Sequence, residues 1–342
     1  MKSFHQLERP FVIAEIGGNH EGNFDYAIKL LHDAVEAGAD AVKFQTYTPD
    51  RIVSKVESPE RHKHFGRFAL TLDQYISLAQ ECHRNGVQFM SSIWDMESVD
   101  ALDEYIEVHK VGSGDLTNYP LLKRLVNTGK PIAIATAMAN LSEVQETVAY
   151  LDSIDKKLIS DGRLCVMHCV AMYGDPRDEY TNLRAIETLR RHLDDQIVIG
   201  YSDHTMGNVA VTAAVCMGAR VIETHFTDDN TREFRDHHFA HTKESLAEFI
   251  EFCMRRELML GDGIKQPVYK VETPRRIWEF RRACYLKRDM KAGEVLGTED
   301  LTTLRPFEGI DARHYDDLIG KKLVRDVNAF QRLRWDDFEG VS

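Results

Sequence analysis

Short runs of β-branched and apolar residues alternate along this chain with longer stretches whose apolar positions recur every three or four residues. The strand-like runs are FVIAEI (11–16), AVKF (41–44), VQFMSS (87–92), VHKV (108–111), PIAIAT (131–136), LCVMHC (164–169), IVIGYS (197–202) and VIETHF (221–226). Between them lie helix-period segments such as DYAIKLLHDAVEAG and TLDQYISLAQECHRNG, which end in Gly38 and Gly86, the residue type that most readily stops a helix. Eight strands, each followed by a helical stretch, predict a (β/α)₈ barrel of the TIM type, an α/β fold. An open doubly wound sheet is the rival, but the glycines after the first strand, at 17, 18 and 22, do not fit its G-x-G-x-x-G phosphate turn.

The alternation stops near residue 260. The stretch 261–280 is polar and rich in turn residues, and 281–342 holds short apolar pieces broken by turns. The expected organisation is a catalytic barrel over 1–260, a linker over 261–280 and a small β-rich domain over 281–342. Sixty-odd residues make little core, so this last domain is expected to lean on the barrel or on a partner subunit.

Composition removes several classes of function. With 43% apolar and 29% charged residues in 342, the chain is neither disordered nor fibrous. No apolar run approaches the ~20 residues of a membrane span. The opening MKSFHQLERPFVIAEIG lacks a signal-peptide layout, so a cytoplasmic location without membrane contact is expected. A formal net charge of −12 argues against nucleic acid as a partner. An anionic substrate then requires a local cluster of cations and amides. The six cysteines form no C-x-x-C pair and read as buried, reduced thiols, Cys165 and Cys169 among them.

Barrel chemistry sits at the carboxyl ends of the strands, so the residues that close each strand carry the functional signal. They are Glu15 on the first, Lys43 and Gln45 on the second, Ser92 on the third, and Lys110, Ser113 and Asp115 on the fourth. His168 with Tyr173 closes the sixth, Ser202 and His204 the seventh, Glu223 and His225 the eighth. Lys43 and Lys110 emerge from apolar strands, where an ammonium is costly without an anionic partner. Ion pairs with Glu15 or Glu223, a Schiff-base role, and a phosphate or carboxylate site completed by Ser92, Ser113 and Ser202 are the competing readings; the nearby serines favour the anion site. His204 and His225 close adjacent strands, 21 residues apart, and suit an exchangeable divalent ion such as Mn²⁺ better than a closed zinc site. Asp236 sits in a loop above the barrel mouth, placed to touch substrate or metal-bound water. The histidines that follow it, His237, His238 and His241, read as a solvated loop, and the charge clusters ERHKH (60–64) and RRHLDD (190–195) as solvated surface.

Taken together the motifs AEIGGNHEG (14–22), VKFQTY (42–47), KVGSGDLTNYPLL (110–122), ATAMANLSE (135–143), HCVAMY (168–173), GYSDHT (200–205) and ETHF (223–226) resemble those of the sialic acid synthase family. RRACYLKRDMKAGEVL and LRPFEGI resemble the antifreeze-like (SAF) domain of the same family. The resemblance implies a transferase that condenses phosphoenolpyruvate with an N-acetylmannosamine-type amino sugar and releases phosphate by C–O cleavage. It implies that Lys43, Gln45, Ser92, Lys110, Ser113 and Ser202 hold phosphoenolpyruvate, that His204 and His225 ligate Mn²⁺ or another divalent cation, and that Glu15 lies near the metal and the reacting water. Asp115, Tyr173 and Asp236 would face the sugar. Arg305 would reach from the antifreeze-like domain of one subunit into the neighbouring barrel, which implies a domain-swapped homodimer.

The chain departs from the family pattern at Asp115, where many members carry Glu, at Ala135 and Ala171, which replace polar residues, and in the loop Tyr173-Gly174-Asp175-Pro176. Arg235 stands where Pro precedes Asp236, and Phe307 where Gly follows Pro306. These changes gather on the sugar side, so legionaminic or pseudaminic acid synthesis from a 2,4-diacetamido-trideoxyhexose is the alternative. A synthase acting on a phosphorylated aldose would need a second basic cluster, which the strand ends do not supply. A metal-dependent sugar isomerase would not need both lysines, and a non-catalytic scaffold would not be expected to keep Glu15, Lys43, Lys110, His204 and His225 together.

Overall fold

A computed structural model describes residues 1–234 and 236–340; Arg235, noted above for its place before Asp236, lies outside the described residues. Two compact units are present, Met1–Gly261 and Asp262–Ser342. In the first, β1 (Phe11–Gly17), β2 (Ala41–Thr46), β3 (Gln88–Ile93), β4 (His109–Val111), β5 (Ile132–Ala135), β6 (Leu164–Cys169), β7 (Val198–Asp203) and β8 (Val221–His225) form a closed parallel barrel in chain order. β8 closes onto β1 with Glu15 opposite His225. Each expected strand run overlaps one of these strands, with ends displaced by at most two residues.

The barrel strands are buried except at Gln45, Gln88 and Val198, which are half-buried, because helices cover their outer face and neighbouring strands fill the inside. Side chains alternate across each strand, so every second residue points inward. On β1, Val12, Ala14 and Ile16 pack outward in the cluster that holds the helix residues Leu30, Leu31 and Ala34, while Ile13 packs in the inner cluster with Ala41, Met90, Ala133 and Met167. The next inward position, one layer nearer the carboxyl end, is polar on most strands: Glu15, Lys43, Ser92, Lys110, Ser202 and Glu223. This change of character from one layer to the next is what builds a site on top of a dry core.

Two glycines are required by that packing. A Cβ on Gly200 would lie 2.7 Å from the Val221 carbonyl oxygen and 2.9 Å from Met167 Cγ, so the inner layer closes only over a glycine. Gly17 has φ +55°, follows a register shift between β1 and β2, and a Cβ there would lie 2.9 Å from Glu15 Oε1. Its backbone therefore passes close over the glutamate.

Helices Phe24–Glu36, Leu72–Arg84, Leu141–Ile154 and Lys243–Leu260 pack around the barrel. Thr71 with Gln74 and Asn140 with Glu143 form reciprocal caps that fix the starts of two of them. Gly38 and Gly86 follow helix ends with φ of +92° and +74°, as the sequence pattern required. No helix among the described residues is long and apolar enough to cross a membrane. The cysteines form no disulfide and five are buried, but Cys216 is exposed at the end of helix Val209–Cys216, against the expectation for it.

The second unit is small and turn-rich. Antiparallel β9 (Ala283–Leu286) and β10 (Leu301–Leu304) pair Leu286 with Leu301 and Ala283 with Leu304. Cys284, Leu286, Leu301, Leu318, Leu333 and Phe338 belong to its separate core. The stretch expected as a linker carries a short helix, Pro274–Phe280, tied into this unit by a bond from the Phe307 amide to the Trp278 carbonyl.

Candidate active site

Strand register explains why residues far apart in sequence meet at the carboxyl end of the barrel. Glu15 is paired with Lys43, Gln45 with Ser92, Ser92 with Lys110, Cys169 with Ser202 and Ser202 with Glu223. Above this layer lies a cavity of about 500 Å³. Eleven of the residues that the family resemblance assigns to substrate, metal or reacting water line it: Glu15, Lys43, Gln45, Ser92, Lys110, Ser113, Asp115, Tyr173, Ser202, His204 and His225.

The floor of the cavity is a buried ion network. Lys43 Nζ lies 2.7 Å from Glu15 Oε2 and 3.7 Å from Glu223 Oε2, and donates to Ser92 Oγ at 3.1 Å. Lys110 Nζ lies 3.5 Å from Glu223 Oε1, which also accepts from the Ser202 hydroxyl at 3.0 Å. Gln45 donates to Glu15 Oε1 at 2.8 Å. Both lysines are thus paired with the carboxylates that were the alternative to an anion site, and the question becomes whether positive charge is left over.

The two glutamates answer it differently. Burial pushes Glu15 up to about 7, with Lys43 opposing and Glu223 adding to the rise. Burial also works against ionised Glu223, but Lys110 and Lys43, with the Ser202 hydroxyl, outweigh it and hold that carboxyl down to about 2. Two carboxyls separated in this way take different roles, one a fixed anion and the other a proton carrier near neutrality. With Glu15 partly protonated, two ammoniums face one permanent carboxylate, which leaves net positive charge for an anionic ligand.

His204 and His225 stand side by side at the top of the barrel, with ring centroids 5.1 Å apart. Tyr173 meets His204 edge-on at 4.6 Å, and Phe239 packs 5.0 Å from His225. Burial, reinforced by the neighbouring His225, holds His204 down to about 3, so its ring is neutral and keeps a lone pair. Among the described residues, no group of three or more His, Cys, Asp or Glu is arranged to hold a metal by itself. This donor set fits a divalent ion that takes its remaining ligands from water and substrate, and does not fit a closed structural zinc site.

Asp236 does not line the cavity but lies behind it, with Oδ2 3.6 Å from His225 Nδ1. Its backbone amide donates to Asn19 Oδ1 at 3.1 Å, while Asn19 Nδ2 donates to the Phe226 carbonyl, so Asn19 ties this loop to β8. Asp115 is bonded by Asn118 Nδ2 at 3.0 Å, and its carboxyl is raised by burial. Arg305 belongs to the second unit, where its guanidinium lies 5.3 Å from the Phe280 ring centre.

Several expectations change at this site. His237 and His241 are buried, against the reading of a solvated loop. His237 Nδ1 lies 2.6 Å from Thr227 Oγ1, and Asn230 bonds the His237 and Ala240 carbonyls, so this segment folds back over the barrel. Arg61, in a cluster read as solvated surface, lines the cavity together with Arg51, which pairs with Asp95 at 3.1 Å. Both arise from the long β2–β3 connection, not from a strand end, so a search confined to strand ends misses them. Glu223, expected at the end of the eighth strand and as a possible partner for the lysines, and Cys169, expected as core, both line the cavity. Trp94 joins them, held by stacking on Tyr47 at 5.2 Å. Ala135 and Ala171 also line it and bring no polar atoms from their side chains.

Fold and cavity define a (β/α)₈-barrel enzyme with its site at the carboxyl ends of the strands. Residues 30–265 match the NeuB family and residues 281–339 the SAF domain, and the chain belongs to the NeuB family. It is similar to the N,N'-diacetyllegionaminic acid synthase of Legionella pneumophila, 33% identical over 96% of this chain and 94% of that one. The enzyme of the same name from Campylobacter jejuni is 31% identical over 96% of this chain and all of that one, 100%. The crystal structure of the spore coat polysaccharide biosynthesis protein SpsE of Bacillus subtilis superposes with a TM-score of 0.65 at 31% identity, covering 96% of this chain and 95% of that one.

Proposed function

We propose that this protein is a nonulosonic acid synthase, a transferase that joins phosphoenolpyruvate to an N-acetylmannosamine-type amino sugar. The observation that carries the reading is the pair Lys43 and Lys110, set on either side of Ser92 in a cavity that also holds His204 and His225. Phosphoenolpyruvate carries a phosphate and a carboxylate on one carbon, and such a ligand needs fixed cations where water is excluded. Lys43 and Lys110, the Gln45 amide and the hydroxyls of Ser92, Ser113 and Ser202 are assigned to it. Glu223 stays ionised between the lysines and keeps them aimed.

A divalent ion held by His204 and His225, taken to be Mn²⁺, supplies Lewis-acid chemistry at the sugar aldehyde when bound. The methylene carbon of phosphoenolpyruvate forms the new bond to the aldehyde carbon, and water adds to the carbon that bears phosphate. Glu15, which titrates near neutrality, accepts the proton of that water. The bond between this carbon and the phosphate oxygen then breaks; phosphate leaves with the electron pair and takes the second proton of the added water, which leaves a keto group, while the first proton returns to the former aldehyde oxygen as its hydroxyl. Asp115 and Tyr173, which line the cavity, are assigned to the sugar, and Asp236, which lies behind His225, is assigned to that histidine in place of the sugar contact expected from the sequence. Arg305 is assigned, on the family resemblance, to the barrel of a neighbouring subunit in a domain-swapped homodimer.

One observation favours a second acceptor. The Legionella and Campylobacter relatives are both named for N,N'-diacetyllegionaminic acid and match nearly the whole chain, which supports a 2,4-diacetamido-trideoxyhexose in place of N-acetylmannosamine. The test is phosphate release from phosphoenolpyruvate by metal-stripped protein, with and without Mn²⁺, over a panel of N-acetylmannosamine, its 6-phosphate and the diacetamido sugars. Metal-dependent release with one sugar is the expected result. Absence of phosphoenolpyruvate binding overturns the reading.

A further inference from the structure

We infer that Cys169 is the positioning residue for His204: its thiol sulfur accepts the Nδ1 proton of the imidazole and so leaves Nε2 as the ring atom that meets the metal. The inference rests on the assignment of His204 and His225 to a divalent ion and adds the group that prepares one of those ligands. Cys169 Sγ lies 3.6 Å from His204 Nδ1, and both side chains are buried. The contact follows from register. Cys169 is paired with Ser202 on the neighbouring strand, and its side chain points into the barrel just below His204, two residues farther along.

A neutral imidazole carries one N–H and one lone pair, and the bond made at one nitrogen decides which nitrogen can ligate. If the sulfur accepts, Nδ1 keeps its proton and Nε2 offers the lone pair. If the thiol donated instead, the proton would sit on Nε2 and the ring could not ligate through that atom. Tyr173 and Phe239, 4.6 and 5.8 Å from the His204 ring centre, pack against the imidazole and restrain its orientation. His225 turns its Nδ1 toward a different group, Asp236, whose Oδ2 lies 3.6 Å away, beyond direct hydrogen-bond reach. Both rings therefore direct Nδ1 toward protein, but one faces a carboxylate and the other a thiol.

The test combines a spectroscopic measurement with metal titration. Nitrogen-15 histidine spectra of the metal-free wild type, with His204 assigned by its loss in His204→Gln, should show the Nδ1–H tautomer. Cys169→Ala should mix the tautomers and weaken Mn²⁺ binding, followed by the electron paramagnetic resonance of free Mn²⁺, by about 10- to 100-fold. Cys169→Ser, whose oxygen can still accept, should restore the tautomer and most of the affinity, which loss of packing alone would not explain. Unchanged tautomer and affinity in folded Cys169→Ala overturn the proposal while leaving the metal assignment intact. A thiolate-to-cobalt charge-transfer band in the Co²⁺-loaded wild type, lost in Cys169→Ala, also overturns it, because Cys169 would then be a ligand. Failure of the wild type to bind Mn²⁺ overturns the metal assignment and the proposal with it.

Discussion

Glu15 and Lys43 lie opposite each other across the β1–β2 pair, and their carboxylate and ammonium groups meet at 2.7 Å with almost no solvent contact. Lys110 is placed differently, with its nearest carboxylate oxygen, on Glu223, at 3.5 Å. The lysines should therefore respond differently to removal. Lys110→Met leaves Glu223 with Lys43 and the Ser202 hydroxyl, so the fold should hold while phosphoenolpyruvate affinity falls by about 2 kcal/mol, near thirty-fold. Lys43→Met strands Glu15 and should cost on the order of 3–5 kcal/mol of stability as well. Titration calorimetry and denaturant unfolding of both variants check this; equal unfolding midpoints would count against it.

The metal assignment predicts that chelation abolishes turnover and that Mn²⁺ restores it. His225→Ala should lose metal-dependent phosphate release while keeping the wild-type circular dichroism spectrum. Its phosphoenolpyruvate affinity should change little, since the lysines and serines are untouched. Activity that survives both chelation and His225→Ala would remove the ion from the reaction.

The strands and their inward residues were legible because two periodicities act together: apolar runs mark the strands, and the polar residues that close them mark one end of the barrel. Glu15, Lys43, Ser92, Lys110 and Ser202 could be placed on that basis alone. Arg51 and Arg61 could not, because they reach the cavity from a long loop whose path depends on the Tyr47, Phe65 and Trp94 rings packing together. His237 was misread because composition cannot distinguish a polar loop in water from one folded onto the barrel by Asn19 and Asn230. Cys169 looked like core because its neighbours are core; only register with β7 brings it beneath His204.

Arg61 supplies a prediction about the acceptor. Its side chain is exposed and lines the cavity, while the lysines at the floor are buried. Arg61→Ala should leave stability and the KM for phosphoenolpyruvate within about twofold and raise the sugar KM by roughly five- to tenfold, the loss of one partly exposed charged hydrogen bond. Steady-state kinetics with each substrate varied in turn decide it, and a rise confined to phosphoenolpyruvate would place Arg61 at the wrong end of the cavity.

Arg305→Ala tests the shared site. Sugar use should weaken more than phosphoenolpyruvate use. Dimers mixed from Arg305→Ala and His225→Ala chains should recover activity, because one barrel in each mixed dimer keeps its histidines and receives an intact arginine. Absence of recovery, with mixed dimers demonstrated by mass spectrometry, would argue for an arginine acting within its own chain or not at all.

A last prediction concerns stability and pH, on the outer face of the strand that carries Lys110. His109 points outward from β4 into a buried setting, with Nε2 3.1 Å from Thr128 Oγ1 and 3.2 Å from Asp103 Oδ1. Burial holds its imidazole down to about 4, opposed by Asp103 and reinforced by Lys130 and Arg124. The unfolded chain takes up that proton near pH 6.5, whereas the folded protein resists until about pH 4. Stability from this residue is thus fully present above pH 6.5 and is lost as pH falls toward 4, a change on the order of 3 kcal/mol. Other buried histidines, His241 and His168 among them, shift in the same direction, so the wild-type slope alone does not isolate His109. His109→Gln keeps a side chain able to bond Thr128 and removes the titration. Urea unfolding from pH 7 to pH 4.5 should show a shallower loss in the variant than in the wild type, and parallel slopes would show that the acid sensitivity arises elsewhere.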